Sequence, residues 1–348
     1  MAPRSIVVVK LSALGDVLNT LPVVRTLQSV WPQTRIQWVI GKAAYGLLQS
    51  ITDIEFLVLD KTQGRQGRRH IQQTLNATGG CEVLLHMQYA WRASLLVAGI
   101  KASTKIGFDR ERAQDLQWLF TNQRIAAKPR QHVLDAHFEF AKALGVSERQ
   151  LRWDIPILPE ALAQARQWIP ADTPTVIISP CSSHPLRNWR AERYAAVADH
   201  LVTKGYQVVL SGGRSEMEQR MGSAISQHMR QPVTNVIGQD TLPEHIATIS
   251  RACAVISPDS GPAHLANALN VPVIGLYAAT NPQRSGPYRF IRYCVDRFAA
   301  AAQRFCNKSP AELPWRSKIE RPGVMDLISV DDVLERFSVL EHERLARP

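Results

Sequence analysis

The sequence predicts an α/β protein built as two doubly wound, Rossmann-like domains, and three observations carry that prediction. The chain's 348 residues exceed what a single hydrophobic core usually organises. Short apolar, β-branched runs alternate with helical periodicity along most of the length, as in parallel strands joined by crossover helices. Near the middle, WDIPILPEAL (153–162) is rich in proline and lacks strong periodicity, as a linker between two halves would.

In chain order, SIVVVKL (5–11) reads as a strand buried on both faces. The tight loop Ser12-Ala13-Leu14-Gly15-Asp16 follows, and Val17, Leu18, Leu21, Val24, Leu27 and Val30 then recur at helical spacing. RIQWVI (35–40), FLVL (56–59) and CEVLLHM (81–87) continue the strand series. A second series starts with TVIIS (175–179) and the helical RAERYAAVADHLVTKG (190–205), where Gly205 suits a helix stop. It continues through YQVVLSGG (206–213), TNVIG (234–238), AVIS (254–257) and PVIGLYA (272–278). Residues 330–346 read as an amphipathic helix that Ser329 or Asp331 would cap. Domains are therefore expected at 1–158 and 159–328, facing one another across a cleft, with a C-terminal helical segment at 329–348.

Composition narrows the function classes. With 45% hydrophobic and 20% charged residues, the chain is an ordinary soluble globular protein rather than a disordered or fibrous one. The net charge of +11 leans towards the first half and suits phosphorylated substrates, an anionic membrane or nucleic acid; solubility alone would explain it equally. Five cysteines without a C-x-x-C argue against a disulfide framework or zinc site and for a reducing cytoplasm. Lys10 ends the first apolar run too early for a signal peptide, and no stretch approaches the about 20 apolar residues of a membrane span. Any membrane contact is expected to be peripheral.

Four loops carry candidate chemistry. Ser257-Pro258-Asp259-Ser260-Gly261-Pro262-Ala263-His264 joins a strand to a helix, where free backbone N–H groups and Gly261 suit a diphosphate. Read alone, the same residues are better explained as a helix cap, Asp259 or Ser260 capping and Pro262 in the first turn. Asp16 follows the first strand and could take a proton from a hydroxyl, or simply cap its helix. The loop is not a G-x-G-x-x-G fingerprint. Ser179-Pro180-Cys181-Ser182-Ser183-His184-Pro185-Leu186-Arg187 offers hydroxyls and a guanidinium to a phosphate. Ser211-Gly212-Gly213-Arg214-Ser215-Glu216 places an acid where ribose hydroxyls, or a helix start, would use it.

In this order the loops resemble the lipopolysaccharide heptosyltransferases, the ADP-heptose-using family of GT-B glycosyltransferases, most of all those adding the first inner-core heptose. The anchors are KLSALGDVLNTLP (10–22) and DSGPAHLA (259–266), with GLYAATNP (275–282) and RSGPY (284–288) matching a later loop. The resemblance implies Asp16 as catalytic base and Asp259, Ser260, Gly261 and His264 as the donor-binding turn. Ser182 and Ser183 fall near the phosphates, Arg187 stands where relatives often carry lysine, and Glu216 matches an acid holding the nucleoside. Relatives end the third strand in Asp-x-Gln-Gly and then a lysine; here Gln88 is kept, Tyr89 replaces the glycine and Arg92 the lysine.

The resemblance further implies inverting transfer of heptose from ADP-L-glycero-β-D-manno-heptose to a Kdo residue of the inner core, without metal or cofactor; no D-x-D motif occurs. Lys61, Arg65, Arg68 and Arg69, with Gln88, Arg92, Arg110 and Arg112, are candidate contacts to a phosphate-bearing Kdo–lipid A acceptor, or solvated basic surface. The expected setting is cytoplasmic, peripheral at the inner membrane. Rival readings are another nucleotide-sugar transferase, a non-hydrolysing nucleotide-sugar epimerase, or a basic nucleic-acid-binding protein. The last is disfavoured because no aromatic–basic recognition motif occurs, so no nucleic-acid partner is expected.

Overall fold

The structure is a computed structural model that describes residues 2–170 and 173–345; positions 346–348 of the expected C-terminal segment lie outside the described residues. It separates into two compact units, Met1–Pro156 and Ile157–Pro348.

The first unit holds six parallel strands: β1 (Ser5–Val9), β2 (Arg35–Gly41), β3 (Glu55–Leu59), β4 (Cys81–His86), β5 (Ala102–Gly107) and β6 (Gln123–Arg124). Their order is β3-β2-β1-β4-β5-β6, with Val9 level with Val39 on β2 and His86 on β4. Ile6 to Val9 are fully buried, as expected for a central strand covered by helices on both faces. The helix Leu14–Val30 is buried almost all round, including Asn19, Thr20 and Arg25, so its inward polar groups need partners. Arg25 finds Asp53, and Trp153 donates its indole N–H to the Leu18 carbonyl at 2.7 Å.

The boundary between the units, at Pro156 and Ile157, falls within the stretch 153–162 expected to link them, and the two ends of that stretch are ordered. Trp153, 2% exposed, is fastened to the first unit, and Pro159 opens the helix Pro159–Trp168 from its first position, where its missing N–H costs nothing. Proline there marks a helix start rather than a break.

The second unit repeats the plan with β7 (Thr175–Ile178), β8 (Gln207–Leu210), β9 (Thr234–Asn235), β10 (Ala254–Pro258), β11 (Val273–Tyr277) and β12 (Val295–Asp296), in the order β12-β11-β10-β7-β8-β9. In each unit the first and fourth strands are neighbours and the chain winds outward from that pair. The crevice outside their carboxyl ends is where open α/β sheets take ligands. The helix Val330–Leu340 belongs to this unit. Ser329 rather than Asp331 caps it, in a reciprocal capping box with Asp332. Among the described residues no helix is long and apolar enough to cross a membrane.

Candidate active site

In the first unit the crevice lies between the loops after β1 and β4. Lys10 continues β1 and its side chain is wholly buried, yet Nζ reaches Asp16 Oδ2 at 2.8 Å. A buried cation without a counter-charge would be strongly destabilising, so the burial of Lys10 makes Asp16 its partner. Asp16 sits in the first turn of Leu14–Val30 and keeps 35% of its side chain accessible. The ion pair therefore aims an accessible carboxylate into the crevice from a rigid base.

Tyr89 occupies the position where glycine was expected from the resemblance. Its ring stacks on Phe108 at 4.4 Å between centroids, with the Lys10 ammonium 5.8 Å from its centre. Two histidines lie close to the ammonium. Burial, and then the charge of Lys10, push both His137 and His86 down to about 3. Thr20 donates its single hydroxyl proton to the Asp16 carbonyl at 2.9 Å, so it accepts from His137 Nδ1 at 3.1 Å.

The loop ahead of Asp16 is held from outside. Gln88 Oε1 accepts from the Leu11 and Ser12 N–H groups at 3.1 and 3.2 Å. Buried Gln117 in turn donates to the His86 and Gln88 carbonyls and accepts from Phe108 N–H. Gly41 donates to the Leu11 carbonyl, and a Cβ on Gly41 would fall 2.5 Å from that oxygen. Gln88 thus has a demonstrable role as a scaffold.

The basic candidates lie at the same carboxyl end of the sheet. Lys61 is on the turn Lys61–Gln63 after β3, and Arg65, Arg68 and Arg69 are on the helix Gly64–Ala77. Arg92 and Arg110 are exposed on the segments after β4 and β5. Arg112 differs: its guanidinium is engaged by Asp109, by Gln131 Oε1 and by the Ala126 carbonyl, so it ties the loop after β5 to the segment after β6.

In the second unit the loops after β7 and β10 meet. Ser257 donates to the Ser179 carbonyl at 2.9 Å and its hydroxyl lies 2.7 Å from that of Ser260. Ser260 is the residue before helix Gly261–Ala268 but does not cap it with its side chain, so the first-turn N–H groups are not capped by that hydroxyl. Asp259 also makes no cap; it approaches His264 Nε2 at 3.7 Å and accepts from Ser285 at 3.3 Å. Burial pushes its carboxyl up, but bonds to His264 and Thr280 and the charges of His264 and Arg187 prevail and hold it below the ordinary range.

Arg187, on the short turn Pro185–Arg187, is largely buried and donates through Nε to Glu320 at 2.8 Å. Glu320 stands next to Ile319, whose N–H reaches the Ala279 carbonyl after β11 at 2.7 Å. Lys318, exposed on the same segment, is pushed down by partial desolvation and by neighbouring Arg187. Neither Lys318 nor Glu320 stands in a recognisable motif; both follow a long irregular stretch. Ser182 closes its loop by accepting from His184 N–H, while Ser183 is exposed. Glu216 is exposed and pairs with Arg220; both line an open depression of about 440 Å³ with Met217, Met221, Ala191 and Ala224. The neighbouring acid, Glu218, holds the glycine loop by accepting from Gly213 N–H at 2.8 Å and Ser215 Oγ at 2.6 Å. Among the described residues no group of three or more His, Cys, Asp or Glu is gathered as a metal site would need.

Comparison with known proteins points one way. The model of Glycosyltransferase family 9 (heptosyltransferase) matches residues 68–309. The chain is 37% identical over 339 residues to the lipopolysaccharide core heptosyltransferase OpsX of Haemophilus influenzae, covering 97% of each. It is 24% identical to lipopolysaccharide heptosyltransferase 1 of Escherichia coli, covering 81% of this chain and 90% of that one. Among solved structures it resembles the glycosyl transferase family 9 protein of Veillonella parvula, with a TM-score of 0.80, 25% identity and 98% and 97% of the two chains covered. It shares its fold with the ADP-heptose heptosyltransferase II of E. coli, with a TM-score of 0.76, 18% identity and 98% and 100% covered.

Proposed function

The chain belongs to glycosyltransferase family 9, the heptosyltransferases, and from that premise we propose that it moves heptose from ADP-L-glycero-β-D-manno-heptose to a Kdo hydroxyl of the lipopolysaccharide inner core, with inversion and without metal. The observation carrying the reading is the Lys10–Asp16 pair, an accessible carboxylate fixed on a buried cation at the crevice of the first unit. Asp16 takes the proton of the acceptor hydroxyl as its oxygen bonds to the anomeric carbon. The bond from that carbon to the β-phosphate oxygen breaks, and ADP leaves with the electron pair.

The negative charge growing on ADP needs donors that are already in place. The start of helix Gly261–Ala268, Ser182, Ser183 and Arg187 supply them in this reading, and the uncapped helix start supports it. Arg187 would exchange Glu320 for the diphosphate. The Met-lined depression beside Glu216 has room for a nucleoside, with Glu216 accepting from the ribose. His264 and Asp259 shape the donor turn. On the acceptor side, Lys61, Arg65, Arg68, Arg69, Arg92 and Arg110 face a phosphorylated, lipid-borne substrate at the cytoplasmic face of the inner membrane.

Incubation with ADP-heptose and deep-truncated lipopolysaccharide, with and without EDTA, tests the reading by mass spectrometry of the product and NMR of its new anomeric centre. A single added heptose on a Kdo-bearing acceptor, unaffected by EDTA and of inverted anomeric configuration, is expected. Absence of transfer to Kdo acceptors, phosphorylated or not, overturns the acceptor assignment. Loss of transfer in EDTA overturns the metal-free mechanism.

A further inference from the structure

Apolar residues normally turn inward, and one turn of the first unit does the reverse. In the segment Asp115–Phe120 after β5, polar Gln117 is wholly buried while Leu116, Trp118 and Leu119 are 51%, 37% and 57% exposed. Trp91, 45% exposed, lies against the same turn, its ring edge-on to Phe120 at 5.5 Å. These four are most of the large hydrophobic side chains that stand out among the described residues. Isolated exposed leucines need no explanation; a contiguous group does.

The inversion is built in. Gln117 spends its amide on the His86 and Gln88 carbonyls and on Phe108 N–H, which locks the turn with its neighbours pointing out. Asp115 and Leu116 both adopt left-handed backbone, with φ of 49° and 56°, a conformation that disfavours side chains. The Asp115 carboxylate holds the turn to the start of the preceding helix Trp91–Ala98 by accepting from Trp91 N–H at 3.0 Å. A strained, anchored turn that displays a tryptophan and two leucines is a rigid wedge.

The charge around it indicates the occupant. Between Trp91 and Arg130 the chain carries eight Lys or Arg against three Asp or Glu, and Arg92, Arg110 and Arg124 are exposed. Apolar tips with exposed cations close by in the chain match acyl chains beneath anionic headgroups. We propose that Leu116, Trp118 and Leu119, with Trp91, insert into an anionic phospholipid bilayer and dock the enzyme on it. Gln117 bonds to Gln88, and Gln88 bonds to Leu11 and Ser12 N–H, so the wedge is tied by two hydrogen-bonded steps to the loop that carries Asp16. This last link rests on the proposed lipid-borne acceptor; docking itself does not.

Vesicle flotation of the full chain tests it, using phosphatidylethanolamine and phosphatidylglycerol in equal parts. The wild type is expected to float, and Leu116→Ser/Leu119→Ser to lose at least about tenfold in partitioning. Both positions are exposed, so folding should survive; matching circular dichroism and melting checks this. With a deacylated, water-soluble Kdo acceptor the variant should turn over as the wild type does, whereas transfer to vesicle-embedded acceptor should fall. A wild type that does not float, or a variant that floats equally, overturns the proposal. So does a variant whose changed property is concentration-dependent self-association in sedimentation, since the wedge would then meet a second copy. Flotation reads no turnover, so failure of the proposed transfer and failure of docking are separately visible.

Discussion

Acidification should loosen the first unit through His86 and His137, and the size of the effect follows from their surroundings. Both imidazoles are held at about 3, against an ordinary value of 6.5, by burial and by the Lys10 ammonium. Below pH 6.5 the unfolded chain binds protons that the folded chain refuses. Stability is therefore complete above about 6.5 and is lost as pH falls towards 3. Between pH 7.5 and 5.0 the linkage amounts to about 2 kcal/mol per histidine, or about 4 kcal/mol for the pair. That is a large part of the roughly 5–15 kcal/mol that stabilises a typical domain. Carboxylates held below their ordinary values, such as Asp259 and Glu320, respond mainly below pH 4.5 and add only about 0.2 kcal/mol each or less in this window. Urea unfolding at both pH values, followed by tryptophan fluorescence, measures the loss. His137→Gln, whose amide can still donate to Thr20, should shrink the pH-dependent loss by about 2 kcal/mol whatever its own stability. An undiminished loss in that variant would refute the argument that burial and Lys10 keep His137 neutral.

Three further outcomes are expected. Asp16→Asn should lower kcat by about 10²–10⁴-fold with ADP affinity unchanged by calorimetry, and near-normal turnover would remove Asp16 as the base. Arg187→Ala should weaken ADP about tenfold, whereas Glu320→Gln, which releases the guanidinium, should tighten it a few-fold; parallel changes in the two variants would contradict the exchange of partners. Gly41→Ala should cost about 1–3 kcal/mol of unfolding free energy and reduce turnover, because its Cβ would press on the Leu11 carbonyl ahead of Asp16; a neutral effect on both would show that the loop yields freely.

Of the strands, those in continuous apolar runs were legible, the edge strand β3 (FLVL) included, whereas β5, β6 and β12 were not. SIVVV, RIQWVI and AVIS are covered on both sides, so burial wrote itself into residue type. β5 is polar and partly exposed, and β6 and β12 have two residues each, too few for any period to register. The alternation itself implied two parallel-sheet units, with four strand runs in the first and five in the second where each sheet has six strands, and TNVIG yields a strand only at Thr234–Asn235.

The sequence by itself determined which loops matter. Gly15-Asp16, the 179–187 loop, the 211–216 loop and the 257–264 turn all end parallel strands, and in a parallel sheet every such loop emerges at one edge. It could not determine which side chains remain available there. Lys10 opens a recognisable motif, yet only tertiary burial makes it the anchor of Asp16. Gln88 and Arg112 proved to be occupied in tying their loops to neighbouring ones, Glu218 rather than Glu216 holds the glycine loop, and Glu320 holds Arg187 across 133 positions. The reason is physical. Strand and helix placement follow from local periodicity, whereas the partner of a charge or an amide is set by whatever the fold brings within about 3 Å of it, at any distance along the chain.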